Sequence, residues 1–398
     1  MAPFSMSIIP IDRSSDLELL RREGYNVQVT GAGYLVVHDV PYVNSKREIA
    51  VGALASNLDL AGDVTAQPQD HTAKFIGEYP CDSNGKPLEV LKHQSGSYDV
   101  GHGFVAQHSF SRKPARGHYE NYHEKMTAYV ALLGKHVAAI DPLVTAKTHK
   151  VIEPEDDNLP FNYLDTASAR AEINTITARL AEDAIAIVGV GGTGSYVLDM
   201  VAKTPVKQIH IFDADRFLTH NAFRAPGAPE IEDLRAQPLK VEYFASIYAR
   251  MHRGIIPHPI HIDATNADKL GSMSFVFLCM EGGAAKRAVV DKLEALGTPF
   301  ADVGIGLYAK RNSIGGMLRS ILSLPDARER ARSRISFATD DANNEYDKNI
   351  QVADLNALNA CLAVIAWKKL RGFYFNLGKE RFVSYTIANS LLAKGDSI

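Results

Sequence analysis

The 398-residue chain has only three cysteines, Cys81, Cys279 and Cys361, and no two of them form a CxxC pair. That scarcity excludes a disulfide framework and a four-thiolate zinc site, and it fits a reducing compartment, the cytoplasm. No apolar run approaches the roughly 18 residues that a membrane span requires, so no membrane partner is expected. The opening "MAPFSMSIIPIDRSSD" has no cationic segment leading into a long apolar run, so it does not read as a secretory signal. Neither charge dominates: Lys+Arg is 43 and Asp+Glu 46, which gives no argument for a nucleic-acid partner. Internal repeats and low-complexity tracts are also missing. What remains is 46% hydrophobic and 22% charged, an ordinary globular balance with length for two or three domains.

Two textures divide the chain. Residues 1–150 hold nine of the fourteen histidines and many short segments. "SSDLELLRREG" predicts a small helix that Asp16 caps and Gly24 ends. "YNVQVTGAGYLVVHDVPYV" predicts a hairpin around Gly31 and Gly33. "NYHEKMTAYVALLGK" predicts a helix with Met126, Tyr129, Val130 and Leu133 on one face. These make a compact α+β domain of unknown function. The polar segment 151–163, "VIEPEDDNLPFNY", carries two prolines and reads as a linker.

From residue 164 to 398 the pattern alternates. "ASARAEINTITARLAED" reads as helix and "AIAIV" as a buried strand; a helix follows the glycines, and "IHIF" is a second strand. "LKVEYFASIYARMH" and "AAKRAVVDKLEALG" read as helices, and "PHPIHI", "FVFLC", "PFADVGI" and "IGGMLRSIL" as strands. "ADLNALNACLAVIAWKKLRGF" is a long late helix. Such alternation predicts an α/β domain, a mostly parallel Rossmann-like sheet with helices on both faces.

"IVGVGGTGS" joins the first strand to its helix. Gly189, Gly191 and Gly194 form GxGxxG: one glycine for the tight turn, one for close approach of a phosphate, one for helix-strand packing. The helix N-terminus offers free N–H groups to an anion, with Ser195 in its first turn. Gly192, beside the central glycine, is expected to leave room for a closely held triphosphate. Asp213, nineteen residues past Gly194, ends the second strand and suits ribose hydroxyls. A nicotinamide-dependent oxidoreductase would carry all of this.

The segment "FDADRFLTHNAFR" separates the readings. Asp215 follows Asp213 by two residues, Asn221 follows by eight, and Arg224 comes three later. A dinucleotide site has no obvious use for the amide and the guanidinium, whereas a triphosphate site does. Lys240 on the next helix can neutralise further charge. Glu281, after "FVFLC", is placed to hold magnesium.

On these motifs, over residues 165–390, the chain resembles the ThiF/MoeB and ubiquitin-activating-enzyme superfamily. The resemblance implies ATP and magnesium as ligands. It implies adenylation of the C-terminal carboxylate of a ubiquitin-like or sulfur-carrier protein with a Gly-ending tail, and release of pyrophosphate. It further implies a homodimer and an acyl group that passes to a thiol, here or on another protein. By the same resemblance Asp213 binds ribose, Asn221 and Arg224 contact phosphates, and Lys240 in "QPLK" matches the family's lysine. Arg170 in "LDTASARAEI" matches an arginine motif whose finger reaches a partner subunit's ATP. The chain departs from the family in having Glu281-Gly282 where an Asp-Asn pair is usual, and in lacking the zinc cysteines. Those departures keep a third reading open, a catalytically inactive nucleotide-binding or scaffold protein.

The cysteines read less clearly. Cys81, ten residues after His71 and near Asp70, is a candidate nucleophile for a thioester; its alternative is a semi-buried residue before "DSNG". Cys279 lies in a strand. Cys361 shares a helical face with Leu358, Leu362 and Ile365 and reads as core. His102, His108, His118 and His123 are metal candidates by type, but the spacing of five between the last two does not place them on one helical face.

Overall fold

The computed structural model describes residues 11, 13–151, 159–171, 173–337 and 350–395. The chain divides into two compact units, Met1–Asp157 with Tyr163–Asn174, and Asn158–Asn162 with Thr175–Ile398. The predicted linker falls partly on residues outside the described ones.

In the first unit, helix α1 (Ser15–Arg22) precedes strands β1 (Asn26–Val29), β2 (Tyr34–Val43), β3 (Ile49–Asn57), β4 (Thr72–Ile76), β5 (Lys92–Asp99) and β6 (Val105–Ser111), and helix α2 (Tyr122–Ala138) follows them. The strands form one antiparallel sheet in the order β1-β2-β3-β4-β6-β5. The β1–β2 hairpin turns through Thr30–Gly33, as the two glycines suggested: Gly33 N–H donates to Thr30 O at 3.0 Å, and Gly33 takes a positive φ. Gly24 ends α1 with φ +97°, which a glycine adopts at no steric cost. Asp16 does not cap α1 as expected. The N-cap is Ser14, and Asp16 sits in the first turn, where its carboxylate accepts from Thr65 Oγ1 (2.6 Å) and from the Tyr122 N–H (2.8 Å). It therefore ties α1 to the start of α2. Asn121 caps α2 by accepting from Glu124 N–H at 2.9 Å.

The helix α2 lays Met126, Tyr129 and Leu133 against Phe75 and Phe110 of the sheet, two rings stacked 5.1 Å apart. Val130, expected beside them, is only partly buried. Within this apolar layer Lys125 is fully buried; its ammonium donates to the Asp70 carbonyl at 2.5 Å.

The expected single helix over 167–183 is three short pieces, Thr166–Arg170 in the first unit, Asn174–Thr177 at the division and a 3-10 turn Ala178–Leu180 in the second unit. The β-branched run Ile173, Thr175, Ile176 and Thr177, with Asn174 among them, is a poor helix former. The sheet is built from β7 (Ala184–Val188), β8 (Gln208–Phe212), β9 (Ile255–His258), β10 (Phe275–Leu278), β11 (Phe300–Lys310), β12 (Ser313–Ser323), β13 (Phe382–Thr386) and β14 (Leu391–Gly395). Its order is β9-β8-β7-β10-β11-β12-β13-β14. The first five strands are parallel, with every residue of β7 buried; the last three run antiparallel. Pro259 has no N–H to continue a ladder, and β9 ends at His258, earlier than "PHPIHI" implied.

Helices α3 (Gly192–Val201), α4 (Lys240–Tyr248) and α6 (Ala353–Leu370) pack into one core layer, and α5 (Ala284–Leu296) packs on the other face of the sheet. The α6 helix is pinned at its end: the Trp367 indole donates to Glu182 at 2.6 Å, and Arg371 pairs with the same carboxylate. Its buried face is Asn356, Asn359, Ala360, Ala363, Val364 and Trp367. The face predicted as core is the other one. Leu358 and Ile365 are exposed, and Cys361 is half-buried with its sulfur 3.8 Å from Met200 Sδ. The aliphatic spacing misled because two buried amides occupy the core stripe. No helix among the described residues is long and apolar enough to cross a membrane.

Lys125 yields a pH prediction. Burial lowers its pKa from 10.5 to about 8, against the attraction of Asp70 and Asp59. Between those values the unfolded chain binds more protons than the folded one, so stability rises with pH across that window. Chemical denaturation of wild type and Lys125→Met from pH 7 to 10 should show a rise in the wild type alone, up to about 3 kcal/mol.

Candidate nucleotide site

The β7 strand ends at Val188, and the chain turns through Gly189, whose φ is +88°. A Cβ at Gly189 would also stand 2.6 Å from the Cys279 carbonyl, so no side chain fits there. Gly194 is tighter still: its Cβ would lie 1.8 Å from the Gly189 carbonyl. The third glycine therefore lets the helix close onto its own turn. Gly191 is the N-cap of α3, and its Cβ position faces open space, which suits a ligand approaching the backbone.

Gly192 departs from the expectation. The space its missing Cβ leaves is filled from α6 and the segment before it: Asn356 Nδ2 would be 2.2 Å away and Gln351 Oε1 2.5 Å. The room goes to a side-chain amide. Ser195 is also turned inward, fully buried, with its hydroxyl donating to the Gly192 carbonyl at 2.8 Å.

Asp213 stands one residue past β8 and is nearly buried. Its Oδ2 accepts from Val190 N–H at 3.0 Å, and its Oδ1 accepts from Asp215 N–H at 2.9 Å. One carboxylate thus fixes both the glycine turn and the turn after β8. Each oxygen retains lone-pair capacity for a further donor. Lys240, the first residue of α4, places its ammonium 2.6 Å from Asp215 and 3.6 Å from Asp213. Its hydrogen bond holds the Asp215 carboxyl below its ordinary range despite partial burial.

Beyond Asp215 the chain makes a short helix, Thr219–Ala222. Asn221 lies on it, 3% exposed; its Oδ1 accepts from Leu218 N–H at 2.8 Å, while its buried Nδ2 has no acceptor. Arg224 follows, half-buried, with its Nε also buried and unpaired. Burial lowers the Arg224 pKa, opposed by Glu281, Asp213 and Asp215. His220 is pushed down as well, by burial and by the charges of Arg224 and Lys240. The Asn221 amide and the Arg224 guanidinium are thus left with donors that find no acceptor.

Sequence reasoning missed Asn356. Its Nδ2 donates to the Arg224 carbonyl at 3.2 Å, and its Oδ1 accepts from Thr193 Oγ1 at 3.2 Å. This buried amide couples the glycine helix to the arginine loop. The available signal was an asparagine at a core position of an apolar helix. Also missed was a buried ion pair, Lys286 to Asp302 at 2.5 Å, both at most 3% exposed.

Glu281 is exposed on the turn after β10. Among the described residues no group of three His, Cys, Asp or Glu side chains could hold a metal. Arg170 ends the short helix Thr166–Arg170, and its side chain falls outside the described residues. Cys279 lies just past β10, with its N–H on the Val188 carbonyl, and burial pushes its thiol up. Cys81 is buried beside the Tyr79 carbonyl, 3.6 Å away, and burial raises its pKa too. His71 is engaged elsewhere, with Nε2 3.1 Å from Ser111 Oγ and Nδ1 3.9 Å from Asp70. A protonated buried thiol without a base is not an activated nucleophile.

No curated protein matches the chain. Residues 15–166 match a domain of unknown function (DUF6791), and residues 166–365 match the ThiF family, 200 of the 398 residues. Similar solved structures include Escherichia coli MccB with ATP, 15% identical over 58% of this chain and 69% of that chain, TM-score 0.42. The Microcin C7 biosynthetic enzyme MccB in complex with N-formylated MccA is 15% identical over 58% and 70%, TM-score 0.43. Escherichia coli tRNA N6-threonylcarbamoyladenosine dehydratase, TcdA, is 18% identical over 52% and 92%, TM-score 0.39.

Two substitutions test this packing. Gly194→Ala should cost at least about 1–3 kcal/mol, since its methyl meets backbone and nothing flexible. Asn356→Ala should cost about 1–3 kcal/mol by stranding the Arg224 carbonyl. Thermal unfolding reads both, and an unchanged melting temperature in either would contradict the geometry.

Proposed function

Because the chain belongs to the ThiF family, we propose that its second unit binds ATP at the carboxyl ends of β7 and β8 and activates a carboxylate by adenylation. One observation carries the reading: Asn221 Nδ2 and Arg224 Nε are buried donors without acceptors. An unsatisfied buried donor costs about 1–3 kcal/mol, and phosphate oxygens supply what is missing. A nicotinamide dinucleotide would use the glycine turn and Asp213 and leave both donors idle.

In this reading the α3 N-terminus and Gly191 face phosphate. Asp213 accepts from ribose while keeping its two backbone donors. Arg224 and Asn221 hold the outer phosphates, and Lys240 exchanges part of its pairing with Asp215 for phosphate oxygen. Magnesium, when bound, would neutralise phosphate charge, and Glu281 is the carboxylate this chain offers it. A carboxylate oxygen attacks the α-phosphorus, the bond to the bridging oxygen breaks, and pyrophosphate leaves with that electron pair. The protein contributes position and fixed positive charge. The acceptor we propose is a protein or peptide with a flexible Gly-ending C-terminus, of the ubiquitin-like or sulfur-carrier kind. Arg170 would act from a partner copy in a homodimer.

ATP–pyrophosphate exchange with candidate carboxylate proteins tests the reading. Exchange should fall at least about 100-fold in both Asp213→Ala and Arg224→Ala, as loss of a charged contact in the transition state implies. Tight NADH binding with no ATP binding would overturn it. ATP binding without exchange over a broad acceptor set would instead mark a nucleotide-sensing protein.

A further inference from the structure

We propose that Arg319 is the clamp for the carboxylate that becomes adenylated; this rests on the adenylation reading above. Arg319 lies on β12, opposite Gly304 of β11. The sheet register fixes its height. Val188, Leu278, Asp302 and Ile321 form one row across β7, β10, β11 and β12, and Arg319 stands two residues beyond it. That is the level of Val190, where β10 has already ended and the crevice opens.

Gly304 provides a seat. A Cβ there would lie 2.6 Å from Arg319 Nε and 3.1 Å from Cζ, so the guanidinium rests where a side chain would be. Glycine within a strand marks such a close approach. On that seat Arg319 remains unpaired. Its Nε is buried without an acceptor, and no carboxylate among the described residues forms an ion pair with it. The nearest acid in the row, Asp302, pairs with Lys286 through Oδ1 and attracts Arg319 only through space, without a hydrogen bond or ion pair to it. The buried pair thus leaves Arg319 its charge and its fork of donors.

The position favours a carboxylate over a phosphate. The phosphate arm follows β8, on one side of β7, and carries Asn221, Arg224 and Lys240. Arg319 sits on the opposite side, its guanidinium over β11, two strand spacings or roughly 10 Å from β7. A carboxylate gripped there and a phosphate on the glycine turn can meet between them at reacting distance. A planar guanidinium matches a carboxylate with two parallel hydrogen bonds. Arg319 is then a positioning residue for the attacking oxygen.

Phenylglyoxal labelling of the full chain, read residue by residue by mass spectrometry, tests this. The probe is glycylglycine, with glycylglycinamide as the uncharged control. Arg319 should label in the free protein, and glycylglycine but not the amide should slow it several-fold. ATP alone should protect Arg224 and leave Arg319 reactive. In Gly304→Ala, which keeps Arg319 but unseats it, the protection should vanish. No labelling in the free protein, protection by ATP alone, equal effects of acid and amide, or protection that survives Gly304→Ala would each overturn the proposal. Equilibrium dialysis with ATP separates the two readings: absent ATP binding sinks adenylation, while the glycylglycine arm, run without nucleotide, reports on Arg319 alone.

Discussion

The site depends on one carboxylate. Asp213 accepts the N–H of Val190 from the glycine turn and the N–H of Asp215 from the turn after β8. These turns end adjacent parallel strands that are already joined where the Gly189 N–H donates to the Phe212 carbonyl at 2.8 Å, and Asp213 carries that link into both loops. A buried carboxylate needs such donors to offset its lost hydration, and the Lys240 ammonium stands 3.6 Å away. Any ligand that uses the glycine turn and the arginine loop together needs that spacing. The ribose-binding role proposed for Asp213 is thus added to a structural one.

Positive charge is distributed unevenly around this anchor. Lys240 is held by two acids and Lys286 by one, each in contact close enough to screen it. Arg224 and Arg319 retain unpaired Nε atoms. The two lysines therefore organise the carboxylates, and the two arginines are left with donors to give. Guanidinium suits that division, because it stays protonated where burial would neutralise an ammonium; Lys125 in the first unit shows how far burial drives a lysine down.

Local signals made the frame legible. Four glycines between a wholly buried strand and a helix, and an acid at the end of the next strand, are contiguous features, and backbone sterics read them directly. The role of Gly192 was not legible, because the group that fills its space is Asn356, 164 residues later. Arg319 and Lys286 escaped for the same reason: an arginine in an alternating strand and a lysine in an amphipathic helix look like solvated residues until the register puts Gly304 and Asp302 beside them. The α6 face was misjudged because amides, absent from an aliphatic pattern, occupy its core stripe. The broken helix near 170–180 shows the converse error, where helical spacing was read through a β-branched run of low helix propensity that carries only the single turn Asn174–Thr177.

Asn356 also bears on how the site forms. It bonds Thr193 at the start of α3 and the carbonyl of Arg224, and it belongs to a helix that follows β12 in sequence. The phosphate-facing turn and the arginine loop are thus locked together by a late element, itself pinned through Trp367 and Arg371 to Glu182 just before β7. Without α6 the space over Gly192 is unfilled and the Arg224 carbonyl lacks its Asn356 donor. An arginine loop lacking that bond would sample other positions, and its unpaired Nε would find water. Preorganisation of the donors therefore comes from α6, so the nucleotide-facing geometry is a property of the completed unit, more than of the βαβ motif that announces it.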